Sequence, residues 1–124
     1  MDETRIVFDT NFWIALFISG KQPEFAKRQI SHYIVALSSD QLIKEMTSVF
    51  HEHHIFKRKL FPPFDEYIQF HKKVTTWIDV EPRSGFIHDY KDNFIYDLCI
   101  QSRAQYLVTN DSDFDILKTY RARK

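Results

Sequence analysis

Short runs of β-branched and aromatic residues alternate with longer helix-like segments along the chain, and this alternation constrains the fold more than any other feature. Strands are predicted at residues 5–8, 35–37 and 106–109, with a weaker one at residues 77–80. Each run is short and apolar, which is typical of strands buried on both faces. The pattern predicts an α/β protein with a parallel sheet of four to five strands in a three-layer α/β/α fold.

Helical periodicity fills the segments between those strands. Asp9, Thr10 and Asn11 suit a helix start, and Gly20 is a stop signal, so a first helix is predicted over residues 12–18. A second begins after Pro23, and later helices are predicted at residues 42–50, 64–77, 94–100 and 112–120.

Charge and composition exclude two classes of protein. The 17 basic and 17 acidic residues among 124 give a formal net charge of zero, whereas a protein that held nucleic acid by bulk charge would carry a basic surplus. The 44% hydrophobic content excludes a disordered chain and predicts a single domain over residues 1–124. Eight acids against three bases fall in residues 79–115, a concentration that calls for a neutralising cation.

Cysteine content and the N-terminus predict the compartment. Cys99 is the one cysteine, so no intramolecular disulfide is possible, and its place among apolar helix residues predicts a core position. The acidic N-terminus does not resemble a signal peptide, and the apolar run at residues 12–18 is shorter than the roughly 20 residues needed to span a bilayer. The sequence predicts a cytoplasmic protein without membrane association.

Acidic residues follow the ends of the predicted strands. Asp9 comes directly after the first strand, and Asp111 and Asp113 follow the last one. Asp92 stands at the start of the helix that leads into the last strand, and Glu45 lies about a turn and a half into the helix after the second. Ligands of parallel sheets bind beyond the carboxyl ends of the strands, so these side chains are predicted to converge on one edge.

A cluster of carboxylates indicates a particular metal chemistry. Carboxylates within about 6 Å raise one another's pKa unless a cation neutralises them, and oxygen ligands favour Mg²⁺ or Mn²⁺ over Zn²⁺. Such an ion assists the attack of water on a phosphodiester, and Thr10, Asn11 and Thr109 could orient the water or the phosphate. Taken singly, the acids also have simpler interpretations: helix N-caps for Asp9 and Asp92, a solvated helix residue for Glu45, and loop residues for Asp111 and Asp113.

A basic segment with interleaved phenylalanines lies near the middle of the chain. Lys57, Arg58 and Lys59 stand between Phe56 and Phe61. Basic and aromatic side chains together contact the backbone and the bases of single-stranded nucleic acid, so the segment is interpreted as a substrate surface. A hydrophobic turn with a solvated basic face is the alternative interpretation.

Four motifs, in order along the chain, resemble the PIN-domain family. They are residues 5–11 (RIVFDTN), 39–45 (SDQLIKE), 89–97 (DYKDNFIYD) and 106–114 (YLVTNDSDF). Within the family, the sequence is similar to VapC-like ribonucleases, the toxin components of toxin–antitoxin systems. The resemblance implies a metal-dependent endoribonuclease with an RNA substrate, a cognate antitoxin protein and a homodimeric state. It assigns the binding of Mg²⁺ or Mn²⁺ to Asp9, Glu45, Asp92 and Asp111.

The same resemblance gives secondary roles to four further residues. Asp113 and Asp97 match acids whose role varies, and Asn11 and Thr109 match polar positions that support the site. Asn110 departs from the Gly or Arg usual at its position. The family also normally continues beyond the last motif with another strand and helix.

Two other functions are compatible with an acidic sheet edge. One is a catalytically silent PIN-like module that binds RNA or protein. The other is a phosphatase or a receiver-like phosphoacceptor, which requires a lysine near a strand end, and none follows a predicted strand.

Overall fold

The structure, a computed structural model, describes residues 2–52, 63–81, 93–109 and 118–121. Within these ranges the strands are β1 (Thr4–Phe8), β2 (Ile34–Ser38), β3 (Thr75–Trp77), β4 (Tyr106–Thr109) and β5 (Lys118–Arg121). The helices are α1 (Thr10–Ser19), α2 (Gln22–Ser31), α3 (Asp40–Glu52), α4 (Phe64–Val74) and α5 (Asn93–Gln101). None of these described helices has the length and apolar character needed to cross a membrane.

The five strands form one sheet in the order β3-β2-β1-β4-β5. In the central strand β1, Val7 pairs with Leu37 of β2 and Leu107 of β4, and all three side chains are buried. Strands β1 to β4 are parallel, whereas β5 pairs antiparallel with β4. The predicted α/β fold with a parallel sheet is confirmed, and its fifth strand is an antiparallel edge.

The order of the strands reverses beside β1. The chain proceeds from β1 outward through β2 to β3, and then returns to form β4 on the other side of β1. Because parallel crossovers are almost always right-handed, this return places α5 on the opposite face from the helices that connect β1, β2 and β3. The carboxyl ends of β1 and β4 therefore flank the crevice in which sheets of this kind bind ligands.

Aromatic side chains join α1, α2 and α4 to the sheet. Trp13 of α1 is fully buried, with its ring centroid 5.6 Å from that of Phe8 in β1 and 5.3 Å from that of Phe25 in α2. The ring of Phe17, one turn along α1, lies 4.7 Å from that of Tyr67 in α4. Aromatic pairs contribute about 0.5–1.5 kcal/mol each beyond their area burial, so these contacts fix α1 against β1 and α4.

The prediction of a helix after β4 is wrong for the residues that the structure describes. The pattern predicts a helix over residues 112–120, but Lys118–Arg121 form β5, and residues 110–117 lie outside the described residues. Tyr120 pairs with Leu107 of β4. Pairing with an existing sheet outweighs weak local helix propensity, which sequence periodicity alone does not reveal.

Helix α4 also ends earlier than its apolar spacing predicts. That spacing gives a helix over residues 64–77 and a strand over residues 77–80, whereas α4 ends at Val74 and β3 is Thr75–Trp77. The Thr75 hydroxyl donates to the carbonyl oxygen of His71 (2.7 Å) and so satisfies the end of α4. Trp77 is 43% exposed, so its helical spacing from the core residues does not reflect a core position.

Gly20 ends α1 in the left-handed conformation, with φ at 70°. Its N–H donates to the carbonyl oxygens of Leu16 (3.1 Å) and Phe17 (3.3 Å). Gly20→Ala is expected to lower the free energy of unfolding by about 1 kcal/mol, because a residue with a Cβ is strained in that conformation. Urea denaturation measures the change, with Lys27→Ala at an exposed position of α2 as the control. A midpoint equal to that of the wild type would contradict the prediction.

Candidate functional site

A pocket of about 390 Å³ opens at the carboxyl ends of β1 and β4, where the strand order reverses. Its described lining residues come from the β1–α1 junction, from α3, from the first turns of α5 and from β4. The polar ones are Asp9, Thr10, Asn11, Glu45 and Thr109, and the remaining wall is formed by Val49, Phe94, Ile95, Tyr96 and Leu107.

Asp9 is held at the end of β1 by hydrogen bonds to two elements. Its N–H donates to the carbonyl oxygen of Val108 in β4 (3.0 Å), and its own carbonyl oxygen accepts the N–H of Trp13 (3.2 Å). The side-chain Oδ1 accepts the N–H of Phe12 (2.8 Å), which makes Asp9 the N-cap of α1. A carboxylate offers about four lone-pair sites, so the same side chain can cap the helix and present oxygen to a ligand in the pocket.

Glu45 reaches the pocket from α3. This helix begins where the Ser39 hydroxyl accepts the N–H of Leu42 (3.3 Å). Leu42 and Met46, one helical turn apart, are fully buried and set the rotation of α3 about its axis. That rotation leaves Glu45, which neighbours Met46, half-buried in the pocket wall.

Three polar side chains lie around these two acids. Phe8 pairs with Val108, so the residues that follow them, Asp9 and Thr109, stand at the same level of the sheet. Thr10 and Thr109 are half-buried, while Asn11 is exposed at the pocket mouth. The carboxyl edge therefore carries hydroxyl and amide groups beside the carboxylates.

Some predicted site residues lie outside the described residues: Asp92, Asp111 and Asp113 among the acids, and Lys57, Arg58 and Lys59 of the basic segment. Their roles stay predictions. Within the described ranges, no three His, Cys, Asp or Glu side chains are grouped as a metal site. The described part of the chain brings two carboxylates to the pocket, those of Asp9 and Glu45.

Asp97 lies in α5 but is not among the described residues that line the pocket. Its side chain is 6% exposed, whereas its neighbour Tyr96 is half-buried in the pocket wall. The structure thus places Asp97 in the interior, next along α5 to a residue of the pocket wall, and its secondary role stays a prediction.

The apolar wall of the pocket is the part that sequence reasoning missed. Phe94 and Ile95 have the spacing of core residues in a helix, and that spacing does not distinguish a core position from a pocket wall. The available signal was the pair Tyr96 and Asp97, because their hydroxyl and carboxylate groups interrupt the apolar repeat of this helix.

Burial shifts the pKa of three described side chains in the core. Burial lowers the pKa of His71 to about 4, with a smaller contribution from the positive charge of Lys72. Burial also raises the pKa of the Cys99 thiol to about 12 and raises the pKa of the Tyr67 hydroxyl. Cys99 is buried, which confirms its predicted core position, and a thiol with this pKa is not a nucleophile at neutral pH.

The donor set of the pocket suits a hard divalent cation. The polar groups that line its described part are carboxylate, hydroxyl and amide groups, without a thiol or an imidazole. Oxygen donors of this kind are the ligands preferred by Mg²⁺ and Mn²⁺. The residues present therefore fit a magnesium or manganese ion.

The fold and the pocket define a class of α/β proteins with an acidic site at the point where the strand order reverses. Comparison with protein families extends this result, because the sequence model for the PIN domain matches residues 5–113. The chain belongs to the PIN-domain family. PIN domains are generally nucleases and typically use divalent metal ions, so the fold is of the nuclease type. A comparison with curated proteins finds no match.

Proposed function

We propose that this PIN domain is a Mg²⁺- or Mn²⁺-dependent endoribonuclease that hydrolyses RNA phosphodiester bonds. The observation that carries the proposal is that Asp9, from the β1–α1 junction, and Glu45, from α3, line the same pocket. Helix capping and solvation do not require two carboxylates from separate elements to line one pocket, whereas a shared metal ion does.

Four carboxylates are the proposed ligands of the ion: Asp9, Glu45, Asp92 and Asp111. In the sequence, Asp92 precedes the pocket residue Phe94 by two positions, and Asp111 follows the pocket residue Thr109 by two. This closeness along the chain supports their assignment to the same site.

The pocket residues would divide the work of hydrolysis. When bound, the divalent ion lowers the pKa of a water molecule and neutralises charge on the phosphate. Thr10, Asn11 and Thr109 would orient the phosphate or the attacking water through hydrogen bonds. Phe94 and Leu107 lower the local dielectric constant of the wall, which strengthens every electrostatic interaction beside them.

The proposal includes the substrate surface and the partners. Lys57, Arg58 and Lys59 would contact the RNA backbone, since the net charge of zero provides no general attraction for RNA. We further propose that the enzyme is the toxin of a toxin–antitoxin pair, acts in the cytoplasm as a homodimer and is inhibited by a cognate antitoxin protein. The resemblance to VapC-like ribonucleases supports this part of the proposal.

Metal removal tests the proposed activity. Purified protein incubated with single-stranded and structured RNA is expected to cleave internal bonds with Mg²⁺ or Mn²⁺, to stop in excess EDTA, and to resume when the ion is restored. The reason is that the carboxylates alone cannot neutralise the phosphate charge. Gel analysis of end-labelled RNA measures the cleavage.

DNA of the same sequence is the matched control, since it lacks the 2′-hydroxyl but carries the same charges. Cleavage that persists in EDTA would contradict the metal mechanism. RNA binding without cleavage under all conditions would favour the catalytically silent module instead.

A further inference from the structure

His71 of α4 is a polar side chain in the centre of the core, and the proposed reaction gives it no role. Its imidazole is completely buried. It hydrogen-bonds through Nε2 to the hydroxyl of Ser38 (2.7 Å), which is also completely buried. The rings of His71 and Trp13 pack edge to face, with 4.3 Å between their centroids and 78° between their planes.

The Trp13 contact leads directly to the first acid of the pocket. The backbone N–H of Trp13 donates to the carbonyl oxygen of Asp9 (3.2 Å). This hydrogen bond closes the first turn of α1 on the residue that carries the carboxylate. The hydroxyl of Tyr67, one turn before His71 on α4, donates to the carbonyl oxygen of Trp13. Helix α4 thus holds both the ring and the backbone of Trp13.

The Ser38 contact leads to the second acid. Ser38 is the last residue of β2, and the next residue, Ser39, caps α3 through its hydroxyl. Glu45 lies on that helix, in the pocket wall. The Ser38–His71 hydrogen bond therefore fixes the point from which α3 leaves the sheet.

We propose that His71 is a positioning residue that sets the separation of Asp9 and Glu45, and with it the metal affinity of the site, through its simultaneous contacts with Trp13 and Ser38. This inference rests on the proposed function, since it concerns the same two carboxylates. His71 touches neither acid. It acts through the ring of Trp13 on one side and the Ser38 hydroxyl on the other. Outer-shell contacts of this kind hold ligands in the geometry that a metal ion requires.

Binding of Mn²⁺ alone, measured by calorimetry on the full chain, tests the role of His71 without relying on activity. Two variants remove the hydrogen bond, His71→Leu and Ser38→Ala, and each is expected to weaken Mn²⁺ binding about tenfold or more. His71→Gln keeps an amide group, which can donate or accept a hydrogen bond, near the position of Nε2 and is expected to restore most of the affinity. RNA cleavage at saturating Mn²⁺ should fall less than affinity does, because excess metal compensates for a looser site.

Gln29→Leu is the matched control for general destabilisation. The Gln29 side chain donates to the carbonyl oxygen of Val74 (2.6 Å) and joins α2 to the end of α4, neither of which carries a proposed ligand. Each variant is measured at a temperature at which circular dichroism shows it to be folded, and Ser38→Ala and His71→Gln decide the result if His71→Leu does not fold. We expect Gln29→Leu to bind Mn²⁺ like the wild type.

Three outcomes would overturn the role of His71. Wild-type affinity in Ser38→Ala and in any folded His71→Leu, or an equal loss of affinity in Gln29→Leu, overturns it and leaves the proposed function standing. A wild-type protein that binds no Mn²⁺ overturns the proposed metal site as well.

Discussion

Asp9→Asn is expected to lower the rate of RNA cleavage by at least about 100-fold while changing the free energy of unfolding by less than about 0.5 kcal/mol. The Asp9 side chain caps α1 through the N–H of Phe12, and asparagine caps helices as well as aspartate does. The amide, however, lacks the negative charge needed for a divalent cation and for the several kcal/mol of charge stabilisation that it supplies. Cleavage rates and urea denaturation of the same preparations separate the two roles.

Two comparisons make the interpretation of this variant specific. Asp40→Asn introduces the same chemical change at an exposed residue in the first turn of α3, and it should leave cleavage unchanged. Asp9→Ala removes the cap and the charge together, so it should lose activity and about 1 kcal/mol of stability. Activity retained in Asp9→Asn would show that Asp9 is a cap and not a ligand.

The sequence predicts the position of Asp9 and Thr109 well, because both depend on strongly apolar strands. β1 and β4 are each a short run of β-branched and aromatic residues in the buried centre of the sheet. The residues that directly follow such a strand lie at the carboxyl edge of the sheet, independently of the contacts made by the rest of the chain. Glu45 follows by the same logic, since its distance from the start of α3 is fixed by helical geometry.

Other parts of the fold depend on contacts that local patterns do not contain. The end of α4 is determined by the pairing of β3 with β2, in which Thr75 pairs with Ala36, and not by the apolar spacing of the helix. Strand β5 exists because β4 offers an unpaired edge, and its four residues carry no apolar alternation. The role of His71 could not be predicted either, because a histidine followed by two lysines in an amphipathic helix is indistinguishable from a solvated residue without the tertiary packing.

The buried histidine also gives a prediction about acid stability. The free energy of unfolding should fall by about 3 kcal/mol as the pH falls from about 6.5 to about 4, because burial lowers the pKa of His71 to about 4 in the folded chain. Between those values the unfolded chain binds a proton at this imidazole and the folded chain does not. Acidification therefore stabilises the unfolded state relative to the folded state. The contribution of His71 to the free energy of unfolding is complete above pH 6.5 and disappears progressively toward pH 4.

Urea denaturation at a series of pH values from 4 to 7.5 measures this loss, with His71→Gln and His32→Gln as the informative variants. His71→Gln removes the titrating group, so its stability should fall by about 3 kcal/mol less than that of the wild type over the same range. His32→Gln makes the same chemical change at an exposed residue and is the control for the replacement itself. The reason for the size of the effect is the surroundings of the ring: Nδ1 has no hydrogen-bond partner among the described residues, and the Trp13 ring packs against the imidazole. A proton added there would place a charge in an aromatic core with little to solvate it. Parallel pH profiles for the wild type and His71→Gln would contradict the prediction, because they would show that the imidazole binds a proton in the folded chain as readily as in the unfolded chain.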